Sequence, residues 1–404
     1  MKRTALLTLA AALALGSTAE AQLTMQMSNG WSFTFAGNVN AFATFETQDE
    51  DGTSAPPGGL VGANPDAATR IRTGLLPAFA VFDAKGREGN TDLGVHFGFA
   101  PQINCAAAQH DCFGAQIDMR QVYLTVGGSW GQILAGREIG LFNRQNILND
   151  QTLFGVGATG GSDPGTGAGT TLGRIGFGYI YPNFKAQLTY STPAGRPLSW
   201  SIGLFEAAAN GPYIVNELPR VETEVVWSSG NTKIWGNGLI QSTKTPDAAG
   251  GERATAFGLG GGFRLGTANV ALTAAGYWGK GLGTTLLFNG TDGEGNVDGG
   301  TGGTGAGGSD DLRDSFGGYG QVTFTPTDSK VTLAGSWGIS IMENADTEAE
   351  FKTKNWLASG GVYYQATKSL KVVGEFNYAV TGDDDDATDD NKSIVPTVGF
   401  MLFF

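Results

Sequence analysis

Apolar and polar residues alternate at period two in one stretch of the chain after another. Trp31, Phe33, Phe35, Val39 and Phe45 fall on one face of a first predicted strand, with Ser32, Thr34, Asn38, Asn40 and Glu46 on the other. Val331, Leu333, Trp337, Ile339 and Ile341 oppose Thr332, Ser336 and Ser340, while Leu370, Val372, Phe376, Tyr378 and Val380 oppose Lys371, Glu375 and Asn377. The chain closes on the same pattern, with Val398, Phe400, Leu402 and Phe404 against Thr397, Gly399, Met401 and Phe403. Successive side chains of a strand point to opposite faces, so each segment has one apolar and one polar side. A soluble sandwich alternates too, and buries its apolar face. The aromatics predicted near strand ends, Trp31, Trp227, Tyr319, Trp356, Tyr363 and Phe404, fit a girdle at a membrane interface better.

The connections predicted between strands come in two lengths. Short turns fall at 128–130, 228–231, 266–268, 327–329 and 368–369. Long polar stretches fall at 48–68, 140–171, 243–253, 283–314, 343–355 and 381–392. Turns at one end and loops at the other are the arrangement of a spanning barrel, and counting back from Phe404 gives about 16 strands. Residues 172–192 read as a single strand kinked near Pro182.

Composition removes the helical alternative. After residue 21 no run reaches the ~18 apolar residues that a spanning helix needs. The 65 glycines and 16% charged residues suit strands and turns. A spanning chain without such helices satisfies its backbone between strands in a closed barrel. The expectation is an all-β, transmembrane antiparallel β-barrel over residues 22–404, in contact with outer-membrane lipid. Length alone would allow two domains, but no linker separates independently patterned halves. Residues 1–21, with Met1-Lys2-Arg3, an apolar run over 5–16 and Ala19-Glu20-Ala21, read as a cleaved signal peptide.

The net charge of −13 becomes −14 once Lys2, Arg3 and Glu20 are removed with the leader, and much of it sits in acidic runs at 310–311, 383–386 and 389–390. Such runs read as solvated external loops. No basic patch is available to neutralise phosphates, so no nucleic-acid partner is expected. Cys105 and Cys112 read as a local disulfide of an exported chain. His110 between them would complete only a thin metal set, and neither metal nor cofactor is expected. Asp292, Glu294, Asn296 and Asp298 alternate like the start of a calcium loop, but Gly303 stands where the closing Glu belongs.

Arginines concentrate in the first half. Arg70 and Arg72 are predicted to share a face opposite Ile71, Leu75, Phe79 and Val81. Arg120 follows Asp118, Arg137 ends the next strand, and Arg174 opens another, opposite Ile175, Phe177 and Tyr179. A guanidinium facing lipid is costly, so these face a lumen, a subunit interface or headgroups. They either brace the wall by pairing with acids or form a basic ladder that sets ion selectivity. Residues 140–171 hold apolar pairs at Leu141-Phe142, Ile147-Leu148 and Leu153-Phe154, which a purely external loop has little reason to carry. Folded inward, the stretch would present Asn149, Asp150 and Gln151 to the arginines; the alternative is a cap on a neighbouring subunit.

Arg120-Gln121-Val122-Tyr123-Leu124-Thr125-Val126-Gly127 followed by Trp130-Gly131-Gln132-Ile133-Leu134-Ala135-Gly136-Arg137 resembles the fourth and fifth strands of the general diffusion porins of Gram-negative outer membranes. Leu172-Gly173-Arg174-Ile175-Gly176-Phe177 resembles their strand leaving the third loop. The resemblance implies a homotrimer of 16-stranded barrels whose third loop folds in to face a basic cluster. By position Arg72, Arg120 and Arg174 match that cluster, with Arg70 and Arg137 in support and Asp150 on the acidic side. The loop departs from the pattern in having only Asp150 and Asp163 as acids and in lacking a Pro-Glu-Phe-Gly-Gly-like element. The implied function is a non-enzymatic, water-filled channel for passive diffusion of small hydrophilic solutes and ions. Other readings are a specific channel for a sugar or anion, an adhesin or tether, and an outer-membrane hydrolase. The last needs a base beside a nucleophile, and only His96 and His110 are available.

Overall fold

The alternation along β2 (Ser32–Gln48) sorts the residues by face: Asn38, Asn40, Phe42 and Thr44 are buried, whereas Val39 and Phe45 between and beyond them are exposed. The same sorting recurs on β18 (Asn391–Phe403), where Ile394, Val398, Phe400 and Leu402 are exposed and Asn391, Ser393, Thr397 and Met401 are buried. One face is therefore apolar and outward, the other mostly polar and inward. The computed structural model describes residues 23–404 apart from 29, 49–55, 57, 63–66, 105–116, 161–168, 209–212, 284–311, 346–349 and 384–389. The disulfide expected of Cys105 and Cys112, His110, Asp163 and the calcium-like run at 292–303 lie outside the described residues.

The strands form one closed antiparallel ring. β1 (Leu23–Gln26) pairs with the first turnings of β2, Leu23 opposite Phe35. β18 pairs with the rest of the same edge, from Phe403 opposite Asn38 to Ser393 opposite Gln48, and so closes the ring. On the other edge of β2, β3 (Ala68–Arg72) and β4 (Phe79–Glu88) lie end to end. The ring continues through β5 (Thr91–Pro101), β6 (Ile117–Gly128), β7 (Gly131–Ile139), β8 (Phe184–Ser191), β9 (Leu198–Phe205), β10 (Arg220–Ser229) and β11 (Thr232–Lys244). It is completed by β12 (Arg253–Gly266), β13 (Val270–Lys280), β14 (Asp314–Phe324), β15 (Val331–Glu343), β16 (Lys352–Gln365) and β17 (Leu370–Gly382). Because β1 extends β18 and β3 extends β4, the 18 segments build a 16-stranded barrel. Closure through β18 and β2 joins the two ends of the sheet, while β1 and β3 each pair along one edge among the described residues.

Connections alternate in length as the pattern predicted. Short turns span 89–90, 129–130, 192–197, 230–231, 267–269, 325–330 and 366–369, and long connections occupy the other end of every strand. Three expectations are corrected. Residues 172–183 are not strand. Gly173, Gly176 and Gly178 adopt φ of 59°, 79° and 147°, Asn183 adopts 58°, and tight turns such as Phe177 N–H to the Arg174 carbonyl replace a ladder. Pro182 has no N–H to donate, so the strand starts at Phe184 and the stave count is unaffected. Next, the break at 73–78 resets the parity of the second stave, and Phe79 and Val81 face inward with Arg70 and Arg72 while Ile71 faces out. Finally, Tyr319 and Tyr363 are buried on the inner face and take no part in an outer girdle. The core lies inside the barrel, where Phe42, Leu75 and Phe79 of the wall meet Phe142, Ile147, Leu153, Val156, Ile175 and Tyr179 of the connection between β7 and β8.

Candidate pore constriction

That connection, residues 140–183, is tied to inner-face side chains on staves reached only by crossing the interior. Glu222 on β10 accepts the backbone N–H groups of Leu141 (2.7 Å) and Phe142 (3.0 Å). Beside it, Glu224 pairs with Arg144 at 2.5 Å, at the start of the one-turn helix α1 (Arg144–Leu148). The Tyr319 hydroxyl on β14 donates to the Asn146 carbonyl at 2.8 Å, and Gln321 accepts from the Gln151 N–H at 2.7 Å. Farther round, Glu375 on β17 accepts from Val156 N–H (2.7 Å) and Gly157 N–H (3.1 Å), and from the Tyr363 hydroxyl. Buried backbone donors need such partners. The wall makes room for them with glycine: a Cβ at Gly258 would stand 2.8 Å from the Phe142 ring, and one at Gly260 2.8 Å from Asn143 Oδ1.

The expected site residues separate into two groups. Arg70 and Arg72 face inward on β3, and Arg72 is buried with Nη2 donating to the Thr170 carbonyl at 3.3 Å. Arg120 on β6 pairs with Asp118 at 2.6 Å, donates to the Tyr181 hydroxyl at 3.2 Å, and lies over the Phe184 ring. These three stay on the first-half wall. Arg174 does not. It leaves no strand and reaches β15 and β16, donating to the Leu357 carbonyl at 2.9 Å and to the Ser336 hydroxyl. Its Nε lies 3.9 Å from Asp150 Oδ1, with both side chains fully buried. Asp150 also accepts from Thr152 N–H (3.0 Å), Thr152 Oγ1 (2.6 Å) and the Tyr179 hydroxyl (2.8 Å). Burial, and then the Asp150 carboxylate, hold the Tyr179 phenol well above its usual pKa, so it remains a donor. Arg174 and Asp150 thus brace the connection from within instead of facing each other across an opening.

Arg137 also departs from expectation. It is exposed and pairs in register with Val122 and Ala186, on the side that carries exposed Leu124, Ile133 and Leu188. Its strand parity is outward, although the side chain borders a cavity at the loop end. His96 is buried with Nδ1 2.9 Å from Asp83 Oδ1 and its ring stacked on Tyr123 at 4.6 Å.

Two cavities lie on either side of the crossing segment. The one toward the loops has a volume of about 460 Å³ and is lined by Asp118, Arg120, Arg137, Leu148, Leu153 and Tyr181 among others. The one toward the turns, about 650 Å³, is lined by Leu148, Asn149, Asp150 and Gln151 of the segment and by Lys233, Arg264, Lys330 and Lys371 of the wall. Leu148 borders both. Lys233, Arg264 and Lys330, and the carboxylates Glu222 and Glu224, were not singled out from sequence, whereas Lys371 falls on the polar face read there. Inward parity on β10, β11 and β12 is the signal that marks them, apart from Lys330, which lies in the turn before β15.

No family model matches the chain, and no curated protein matches it by sequence. Solved structures match over nearly its whole length. The outer membrane channel DcaP of Acinetobacter baumannii is 12% identical, with a TM-score of 0.66 over 94% of this chain and 99% of that one. An anion-selective porin from Comamonas acidovorans is 12% identical, with a TM-score of 0.61 over 93% of this chain and 100% of that one. Salmonella typhi OmpF in complex with daunomycin is 13% identical, with a TM-score of 0.53 over 93% and 100%. At such identities the likeness is one of fold, and that fold is the 16-stranded barrel of outer-membrane porins and channels.

Proposed function

We propose that this chain is an outer-membrane porin, a water-filled channel for passive diffusion of small hydrophilic solutes and ions, without enzymatic activity. The observation that carries the reading is the closed barrel with an apolar exterior and two cavities, each bordered by cationic side chains, stacked about the crossing segment 140–183. An adhesin or tether would have no use for cavities on both sides of such a segment. In this reading residues 140–183 set the narrowest part, and Arg70, Arg72 and Arg120 form its basic side. Arg174 and Asp150 keep the segment in place. Arg137 contributes at the outer rim. Residues 1–21 serve as the export signal, three copies assemble in the outer membrane, and Cys105 and Cys112 staple one connection. The fold shared with trimeric outer-membrane structures supports this assembly. A specific sugar or anion channel is the second reading, favoured by the cations that line both cavities.

Conductance of the purified protein in a planar bilayer is the test. Ohmic steps support a diffusion channel, steps blocked by one solute class support the specific channel, and their absence at saturating protein refutes both.

A further inference from the structure

Lys233 on β11 and Arg264 on β12 stand directly opposite each other on the inner face. Like charges in that relation destabilise a sheet. At the other end of the barrel this chain avoids the conflict: Lys280 is opposite Asp314 with 3.6 Å between charges, and Glu343 is opposite Lys352 at 2.8 Å. Among the described residues Lys233 and Arg264 have no carboxylate in direct ion-pair contact. Lys233 donates to Gln145 Oε1 at 3.0 Å, and Arg264 makes a long 3.5 Å contact to the Thr273 hydroxyl. Glu224, on the adjoining strand, is taken by Arg144.

The rest of the chamber adds to the imbalance. Lys371 presents its ammonium to the Phe154 ring at 3.9 Å, and Lys330 donates to the Ala366 carbonyl at 3.4 Å. Among the described residues none of the four cations is in an ion pair with a carboxylate. The one acid lining the chamber, Asp150, is buried, already accepts three hydrogen bonds and lies against Arg174. A cavity of about 650 Å³ is therefore walled by unneutralised positive charge, with Gln151, Thr323, Thr325 and Gln365 as further polar groups.

We infer that the turn-end chamber is an anion-binding station, in which Lys233 and Arg264 jointly hold a small solute carrying a carboxylate or phosphate group while Lys371 and Lys330 complete the field. The inference rests on the channel reading and names the class of solute. A single anion between Lys233 and Arg264 converts a repulsive cross-strand pair into two attractive contacts, and Arg264 offers a fork that matches either group. The neighbouring lysines keep the site positive along the path, so a bound anion is handed on instead of trapped.

The experiment uses inorganic phosphate as the probe, added to both sides of a bilayer carrying single channels in KCl. The wild-type chloride current is expected to fall saturably with phosphate, and the reversal potential in a KCl gradient to favour chloride. In the double variant Lys233→Gln, Arg264→Gln the block should weaken about tenfold or more, the usual consequence of losing charge-assisted hydrogen bonds, with a shift of selectivity toward potassium and conductance retained. The charge-preserving Lys233→Arg, Arg264→Lys variant should keep the block, which separates charge from packing against Gln145. Arg87→Gln, an exposed cation at the same end, should leave it unaltered. Conducting wild-type channels without phosphate block, or a block equally strong in the double glutamine variant, overturn the station and leave the porin reading standing. A wild-type protein that does not conduct overturns both.

Discussion

Replacing Glu375 by Ala tests what holds the crossing segment in place. The carboxylate accepts two backbone N–H groups, from Val156 and Gly157, together with the Tyr363 hydroxyl, and is buried with all three. Hydrogen bonds to a charged acceptor contribute roughly 1.5–3 kcal/mol each. The two N–H groups that lose their acceptor in Glu375→Ala therefore weaken docking by on the order of 3–6 kcal/mol. That corresponds to at least a hundredfold shift toward an undocked segment. The barrel itself should persist, because its closure depends on ladders that Glu375 side-chain atoms do not enter. Glu375→Gln is a graded control. Its amide oxygen keeps the contacts to Val156 and Gly157 as hydrogen bonds to a neutral acceptor, about 0.5–1.5 kcal/mol each, so docking should weaken by less than in Glu375→Ala. Single-channel recording should show larger and noisier steps in Glu375→Ala, and limited proteolysis of the folded barrel should newly cut within 140–183. Conductance, noise and protease resistance all at wild-type levels would refute the assignment of Glu375 as the anchor.

Three further outcomes follow from the site. Asp150→Asn and Arg174→Ala should both loosen the segment and add noise with the reversal potential little changed, since both side chains are fully buried; clear shifts in opposite directions would make them selecting charges of the path. Arg120→Ala should raise conductance and move selectivity toward cations, because it removes the guanidinium beside the loop-end cavity; an unchanged reversal potential argues against Arg120 as a lining charge. Replacing both Cys105 and Cys112 by Ser should cost no more than roughly 2–3 kcal/mol of stability, as expected for so short a closed loop, and leave conductance alone; free thiols in the folded protein, found by mass spectrometry, would remove the disulfide.

What could be read from the sequence divides along physical lines. Period-two alternation is a property of the strand itself, so β2, β15, β17 and β18 and the inward place of Lys371 and Glu375 were legible from residues alone. The reading failed where a different backbone produces the same alternation. Ile175, Phe177 and Tyr179 mimic one face of a strand, but the glycines at 173, 176 and 178 let the chain turn at each step, and the three apolar side chains bury inside the barrel. Tyr319 was misplaced for a related reason. An aromatic near a strand end suits a membrane interface, but here its parity is inward and its hydroxyl is needed by the Asn146 carbonyl. Arg174 marks the limit of positional matching. Nothing in the spacing of a chain tells how far a guanidinium reaches, and this one finds Leu357 and Ser336 on the far wall.

The charge distribution makes selectivity a local matter. The chain as a whole is at −13, and a surface view would assign it a preference for cations. Its acidic runs, however, fall in sequence within the long connections between strands, at 310–311, 383–386 and 389–390. Fields from exposed charges are screened within ~10 Å at 0.1 M salt. The cations on the inner face act on a solute that passes within contact distance, where screening has little room to operate, and the acids among them are already engaged: Asp118 by Arg120, Glu224 by Arg144, Asp150 by Arg174 and Tyr179. Raising ionic strength should then erode the contribution of the mouth before that of the interior. If the channel favours anions, the preference should survive, or even strengthen, as salt rises from low values to the point where the mouth acids are silenced. A preference that falls steadily from the lowest salt upward would place the selecting charges at the mouth and not on the inner wall.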